Sequence, residues 1–326
     1  MNVPARQTGP RILTVTPNPA IDITYTVGRQ TLGETVRVAD VRRRPGGKGL
    51  NVARVLRTLG RDATSLQPLG GDAGDWIART LAADGIPVAP CRIAGETRTT
   101  VAIVDGIAHP TLFAEPGPRV TAREWAGLCE TVSRNAGPGD WVVVAGSFPP
   151  GIAATDVGAL ILAARSRGAR VVVDTSGPPL LAAAAAGAAI VKANEQEMRD
   201  AVGGTDTHEA LAQLGRHGSD VVVSRGSRGA AMRLADGTVH EQIAVPGVHG
   251  NPTGAGDAAT AGLVAALADG RDPIIALRWA AVCGAAAVLS AVAGELDPAL
   301  LPELGTRIGL AADSSPLPAG PERSPS

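Results

Sequence analysis

Asn251-Pro-Thr-Gly-Ala-Gly-Asp257, opening directly into the apolar stretch Ala258–Leu267, decides how the rest of this 326-residue chain is read. Two glycines flank one alanine, and a carboxylate follows at once. Gly254 and Gly256 permit backbone angles and close approach that a Cβ resists. The amides of Gly254, Ala255, Gly256 and Asp257 can then turn inward as an anion-binding nest at a helix N-terminus. Asp257 at that edge is placed to take a proton from a hydroxyl while the nest holds charge on a transferring phosphoryl group. The same segment reads equally well as a Gly-rich turn whose aspartate caps a helix.

A second glycine motif shifts that balance. Pro45-Gly-Gly-Lys-Gly-Leu-Asn51 precedes Val52–Leu59, whose apolar spacing fits a helix ended by Gly60. Bare backbone at Gly46 and Gly47, followed by Lys48 and Asn51, suits a polyhydroxylated ligand needing close hydrogen bonds and a fixed positive charge. Taken alone it reads as a turn with a solvated lysine. No Gly-x-x-x-x-Gly-Lys-[Ser/Thr] occurs, so the stretch is not a Walker A loop.

Composition bounds the classes. The length allows one large α/β domain or two smaller ones. Apolar residues make up 44% of the chain but aromatics only 2%, so the core must rest on Ala, Val, Leu and Ile. A net charge near −1 gives no general electrostatic case for nucleic acid or an anionic membrane. Cys91, Cys129 and Cys283 show no metal spacing and are expected as reduced, buried thiols. The N-terminus lacks the apolar core of a secretion signal, and Ala-rich stretches at 180–191 and 280–293 are too short or interrupted to span a membrane. The chain is expected to be soluble and cytoplasmic, with disordered tails at residues 1–10 and 313–326.

Along the chain, apolar runs alternate with helical segments. Strands are expected at 12–16, 141–145, 170–174, 190–193 and 220–224. Helices are expected at 50–59, 75–83, 122–136, 154–167, 195–201, 208–216, 258–268 and 273–293. Val-rich strands followed by helices imply an α/β fold with a mostly parallel sheet covered on both faces. Ligands of such sheets sit beyond the carboxyl ends of the strands. Ser147, Asp174, Asn194 and Ser224 all fall at or just after strand ends, so one cleft can gather them. Two segments, 24–44 and 91–116, carry β-branched residues at strand spacing without a covering helix.

The two glycine motifs, in this order and about two hundred residues apart, resemble those of the ribokinase-like (PfkB) carbohydrate kinases. The resemblance covers roughly residues 11 to 310. Thr14-Val-Thr-Pro-Asn-Pro-Ala-Ile-Asp22, Gly46–Arg54 and Ala145-Gly-Ser-Phe-Pro-Pro-Gly151 look like the phosphosugar branch, which holds the 1-phosphofructokinases and tagatose-6-phosphate kinases. Val171–Gly177, Lys192-Ala-Asn-Glu-Gln-Glu197 and Val221–Gly229 fit the same pattern. The resemblance implies a ribokinase-like three-layer sandwich over 11–312, with 24–44 and 91–116 forming a small β-sheet lid that closes over the sugar and often serves as a dimer clasp. Closure would exclude water and limit wasteful ATP hydrolysis.

It also implies roles. Asp257 becomes the base and the 254–257 amides the anion hole. Asp22, Gly46, Gly47, Asn51 and Ser147 contact the sugar, while Lys48 and Arg98 anchor its phosphate, Arg98 through a fork of donors. Arg37 is a weaker phosphate ligand, and Arg42–Arg44 is a solvated basic run. On the nucleotide side, Asn194 and Glu197 organise Mg²⁺, one carboxylate with an amide and water suiting that ion. They fit a helix-start capping pair as well. Lys192 would touch the ATP phosphates, and Thr253, Ser224, Gly226 and Gly229 would line the phosphate-side loop.

Three positions depart from the family pattern. Thr100 stands where asparagine is frequent, Phe148 replaces the commoner leucine, and Ala193 replaces proline. The expected activity is transfer of the ATP γ-phosphoryl group to a ketohexose phosphate, with fructose 1-phosphate ahead of fructose 6-phosphate and tagatose 6-phosphate. An unphosphorylated sugar or nucleoside acceptor, or a catalytically silent sugar-binding protein, also fits parts of the pattern. A nicotinamide dehydrogenase does not, because Gly-x-Gly-x-x-Gly is absent after the first strand.

Overall fold

Three valine runs, Trp141–Ala145, Arg170–Asp174 and Asp220–Ser224, lie in one sheet whose central residues are almost wholly buried. β-branched residues suit this environment, where each strand packs against helices on both faces. The computed structural model describes residues 9–31, 33–106, 110–204, 206–290, 292 and 294–310.

In chain order the strands are β1 (Ile12–Val15), β2 (Ala20–Val27), β3 (Val38–Gly46), β4 (Ala63–Leu69), β5 (Val88–Arg92), β6 (Arg98–Val104) and β7 (Thr111–Ala114). They continue with β8 (Trp141–Ala145), β9 (Arg170–Asp174), β10 (Ile190–Asn194), β11 (Asp220–Ser224), β12 (Ala230–Arg233) and β13 (Val239–Gln242). The helices are α1 (Lys48–Thr58), α2 (Gly71–Ala83), α3 (Ala122–Asn135), α4 (Ala154–Arg165) and α5 (Pro178–Ala185). After these come α6 (Glu195–Val202), α7 (Thr207–Gly215), α8 (Ala255–Ala268), α9 (Pro273–Val288) and α10 (Leu301–Thr306).

The larger sheet runs β13-β12-β11-β10-β9-β8-β1-β4-β5, parallel from β11 to β5 and antiparallel at β12 and β13. Helices α1, α2, α8, α9 and α10 cover one face, and α3 to α7 the other. The chain leaves β1 for the second sheet and returns through α1 to β4, on the opposite side of β1 from β8. That reversal opens a crevice beyond the carboxyl ends of β1, β8 and β9. The second sheet runs β3-β2-β6-β7 and occupies the segments expected to form a lid.

Most expected elements form within one to four residues of their expected ends. Five corrections matter. Cys91 and Arg92 belong to β5, the parallel edge of the large sheet, so the second lid segment begins at Arg98. The first expected lid segment begins earlier than residue 24, because β2 starts at Ala20 and holds Asp22 between Arg44 and Thr100 in register. Arg37 sits exposed beyond the far end of the β2–β3 hairpin, whose other end pairs Ala20 with Gly46. At ~3.3 Å per residue the two ends of β2 are roughly 23 Å apart, so Arg37 does not reach its own chain's crevice. Helix α9 stops at Val288 rather than 293. Finally, β4, β12, β13, α5 and α10 were not anticipated. Of the tails expected at 1–10 and 313–326, residues 1–8 and all of 313–326 lie outside the described residues.

Helix α8 carries the opening motif and is buried at eleven of its fourteen positions. Such a helix needs small side chains to approach its neighbour α9. A Cβ on Gly262 would lie 2.7 Å from both Cys283 Sγ and the Trp279 carbonyl oxygen. Among the described residues, no helix is long and apolar enough to cross a membrane. Alanine gains about 1 kcal/mol over glycine in a helix, whereas overpacking a core costs roughly 1–3 kcal/mol. Gly262→Ala is therefore expected to lower the urea midpoint despite its better helix propensity; an unchanged or raised midpoint would show that α8 and α9 have room to separate.

Candidate active site

Helix α8 starts at the crevice because Gly254, at φ 82°, takes the left-handed backbone an N-cap with a Cβ would resist. The Ala258 amide begins the helical ladder by donating to the Gly254 carbonyl at 2.9 Å. The Ala255 amide donates to Pro252 O at 3.1 Å. The Ala255 amide is thus engaged within the loop, and the helix start leaves Gly254, Gly256 and Asp257 of the expected four amides as donors. Gly256 is exposed, whereas Asp257 is buried.

Asp257 faces a cluster that joins four elements. Asn51 Nδ2, from α1, donates to Asp257 Oδ2 at 2.8 Å. Beside it stands Asp174, the last residue of β9, with 2% of its surface exposed. Lys192 Nζ of β10 donates to Asp174 Oδ2 at 2.6 Å, and Lys48 Nζ of α1 donates to Oδ1 at 3.1 Å. Thr260 Oγ1 of α8 lies 2.7 Å from Asp174 Oδ2 and 3.0 Å from Gly256 O. Its single proton goes to the shorter, charged contact.

The electrostatics follow from this geometry. Burial works to raise the Asp174 pKa, but Lys192, Lys48 and the hydrogen bonds from Lys192 and Thr260 outweigh it and hold the carboxyl well below its ordinary range. Burial likewise opposes the charge on Lys48, yet Asp174, Glu197 and Asp257 keep its ammonium firmly protonated. Asp257 goes the other way. Burial first, then repulsion from Asp174, pushes its pKa up to about 6, with Asn51, Lys48 and Lys192 pulling back. The result is a carboxylate that is ionised at neutral pH and basic enough to accept a proton.

On the other side of the crevice, Arg98 reaches from β6 to the Asn18 carbonyl through Nε and Nη2, at 3.2 and 3.1 Å. Nη1 donates to Glu115 O at 2.8 Å, and Ser147 Oγ lies 3.5 Å from Nη2. Asp22 packs against Gly46 so closely that a Cβ there would lie 2.0 Å from its Cγ. Burial raises the Asp22 pKa against the pull of Arg54, Arg44 and Arg98. Asp22, Gly46, Gly47, Arg98 and Ser147 therefore gather at the lid end of the crevice.

Nucleotide-side expectations fall on adjacent strand ends. Asn194 and Ser224 are register partners on β10 and β11. Gly226 and Gly229, both at positive φ, form the turn into β12, where a Cβ on Gly229 would strike Gln242 O at 2.0 Å. Thr253 lies in the loop before α8, its amide donating to Asn251 Oδ1 at 3.0 Å. Asn194 and Glu197 form a reciprocal capping box, each side chain accepting from the other's amide at 2.8 Å. Glu197 Oε1 faces Lys48 Nζ at 3.5 Å.

Both lysines are paired in this structure. The Lys48 ammonium lies between Asp174 and Glu197. Lys192 is buried against Asp174, and its Nζ would lie 3.8 Å from a Cβ on Gly256, beside the start of α8. Sequence reasoning left out Asn18, Arg54 and Thr260, and placed Asp174 in the cleft without a role. The i to i+3 spacing of Asn51 and Arg54 on a helix was the available signal for one of them.

Comparison with known proteins agrees with this arrangement. Residues 15–299 match the model of the pfkB family carbohydrate kinases. The chain is 37% identical over 301 residues to a 1-phosphofructokinase of Rhodobacter capsulatus, covering 90% of this chain and 93% of that protein. It is 33% identical over 291 residues to an ATP-dependent 6-phosphofructokinase isozyme 2 of Mycobacterium tuberculosis, covering 86% and 85%. Phosphofructokinase-2 from Escherichia coli, solved with potassium, superposes with a TM-score of 0.86 at 28% identity over 91% of this chain and 99% of that one. Its complex with fructose-6-phosphate gives 0.83 at 29% identity, with the same coverage. The fold and crevice are those of a sugar phosphotransferase. The chain belongs to the pfkB family of carbohydrate kinases.

A raised pKa on a buried carboxylate is also a statement about stability. Below the unfolded value near 4, Asp257 is protonated in both states and contributes nothing; above about 6 its burial opposes folding in full. The shift corresponds to roughly 3 kcal/mol at most. Asp257→Asn is therefore expected to unfold at a higher urea concentration than the parent at pH 8. The gain should vanish as pH falls toward 4, and equal midpoints at pH 8 would contradict the assigned environment.

Proposed function

We propose that the chain is a cytoplasmic enzyme that transfers the γ-phosphoryl group of ATP to the free primary hydroxyl of a ketohexose phosphate, with fructose 1-phosphate as acceptor and fructose 1,6-bisphosphate as product. The observation that carries this reading is the buried Asp257 beside the Gly256–Asp257 amides. Asn51 holds Oδ2, which leaves Oδ1 to accept the proton of the acceptor hydroxyl. The attacking oxygen then bonds to the γ-phosphorus as the bond to the β-γ bridging oxygen breaks and ADP leaves. The Gly256 and Asp257 amides would hold charge on the equatorial phosphoryl oxygens through this transfer. Thr253 and the Ser224–Gly229 turn would line the polyphosphate path.

Asp22, Gly46, Gly47 and Ser147 would take the sugar hydroxyls, and the remaining donor of Arg98 would serve the acceptor's phosphate. The greater identity and coverage of the Rhodobacter protein favour fructose 1-phosphate. Fructose 6-phosphate is the second reading, favoured by the acceptor in the superposed Escherichia coli complex.

The residues present fit Mg²⁺. Glu197 Oε2 and Asn194 Oδ1 each accept one amide of the capping box and keep a second lone pair, Glu197 Oε1 faces the Lys48 ammonium at 3.5 Å, and no group of three or more acidic, histidine or cysteine ligands gathers among the described residues. That donor set matches an ion which keeps several waters and takes other ligands from phosphate. Glu197, with Asn194, would hold the ion, which would supply charge neutralisation to the nucleotide.

Removal of a positioned base costs about 10²–10⁴-fold in rate. Asp257→Asn is expected to lose kcat by this factor while acceptor binding survives, and wild-type turnover would refute the assignment. In a coupled Mg-ATP assay of fructose 1-phosphate, fructose 6-phosphate and tagatose 6-phosphate, fructose 1-phosphate should give the highest kcat/KM; a higher value for either other acceptor reassigns the substrate.

The lid also supports a homodimer. Its strands leave Val38, Val41, Leu112 and Phe113 exposed, the last two at 61% and 57%. These large apolar side chains on a thin sheet need cover. Sedimentation should find a dimer that Leu112→Asp with Phe113→Asp dissociates; a monomeric parent chain would contradict this.

A further inference from the structure

Arg54 follows Asn51 by one helical turn on α1 and has no part in the transfer as described. Its guanidinium folds back along the helix, Nη1 donating to Asn51 Oδ1 at 3.0 Å and Nη2 to the carbonyl oxygen of Pro45, in lid strand β3. A guanidinium offers donors and no acceptor, so the amide oxygen of Asn51 must face Arg54. Nδ2 then faces Asp257 Oδ2. With the amide turned over, an oxygen would oppose a carboxylate oxygen, and only protonated Asp257 would tolerate the contact. Gly294 closes the other side of Asn51, a Cβ there lying 2.7 Å from Oδ1.

The geometry points to Arg54 as the positioning residue for the base: by holding the Asn51 oxygen it fixes Nδ2 on Asp257 Oδ2 and leaves Oδ1 for the acceptor hydroxyl. The same fork grips Pro45, next to the glycines of the sugar loop, so the lid strand and the base are tied through one side chain. Burial, helped by Arg44, draws the Arg54 pKa down to about 10, with Asp22, Asp84 and Glu295 opposing, and it remains a cation at neutral pH. The charges facing Asp257 are Asp174 from β9, Lys192 from β10 and Lys48 from α1. None of these turns the amide; Arg54 does.

This inference rests on Asp257 being the base, and the experiment separates the two claims. kcat is measured against pH for the parent enzyme, Arg54→Met, Asn51→Ala, their double variant and Asp257→Asn. Arg54→Met should move the low-pH limb upward by about one unit and cut kcat roughly tenfold, with a smaller change in the acceptor KM. In the Asn51→Ala background the same substitution should add nothing. Arg54→Lys, which keeps the charge but cannot span both oxygens, should fall between and carries the test should Arg54→Met not fold. An unmoved limb in the folded variant, or a full effect without Asn51, overturns the role of Arg54. Wild-type turnover by Asp257→Asn overturns the base instead.

Discussion

A single carboxylate, Asp174, joins the parts of this enzyme that must meet. It stands fully buried at the end of β9 and accepts hydrogen bonds from Lys192 on β10, Lys48 on α1 and Thr260 on α8. Strand ends and helix starts from opposite sides of the crevice are thereby bonded to one charge. Burying an ion is costly, and removing one partner of such a pair typically costs about 3–5 kcal/mol because the other is left uncompensated. The cluster is therefore a strong constraint on geometry even where its net contribution to stability is small. Its second consequence is chemical, because the negative charge on Asp174 is next to burial the largest influence raising the pKa of Asp257.

The two ends of the crevice divide the work. At the α8 end, charge is concentrated, so the carboxylate proposed as the base and the amides of Gly256 and Asp257 are held in place by the fold itself. At the lid end, Arg98 is held by the carbonyls of Asn18 and Glu115, Asp22 packs on Gly46, and Ser147 lies exposed beside Arg98. Between them runs α1, which carries Lys48 to Asp174, Asn51 to Asp257 and Arg54 to the lid strand. The positive φ of Gly47 at the start of α1, 112°, lets the chain turn from β3 into that helix. Gly254 does the same for α8. Two glycine-entered helices thus aim at one point from the two sides of the active crevice.

Much of this was legible in the chain itself. Valine runs fixed β8, β9 and β11 to the residue, because a strand buried on both faces has a pattern that neither a helix nor a loop shares. The glycine motifs located both helix starts for the same local reason. What could not be read is long-range. The pairing of Lys48 with Asp174, 126 residues away, exists only once β9 and α1 share a crevice. Asp22 and Cys91 fell on the wrong side of the boundary between sheets. Strand periodicity says which residues form a strand but not which sheet receives it. Arg37 matched the chemistry of a phosphate ligand, yet the length of the β2–β3 hairpin carries it away from the site.

The most direct test is a structure of the enzyme with acceptor and a non-hydrolysable ATP analogue. Oδ1 of Asp257 is expected within hydrogen-bond distance of the acceptor's free primary hydroxyl, and the terminal phosphate on the amides of Gly256 and Asp257. An acceptor hydroxyl bonded to another side chain, or a terminal phosphate seated away from the start of α8, would contradict the proposed transfer.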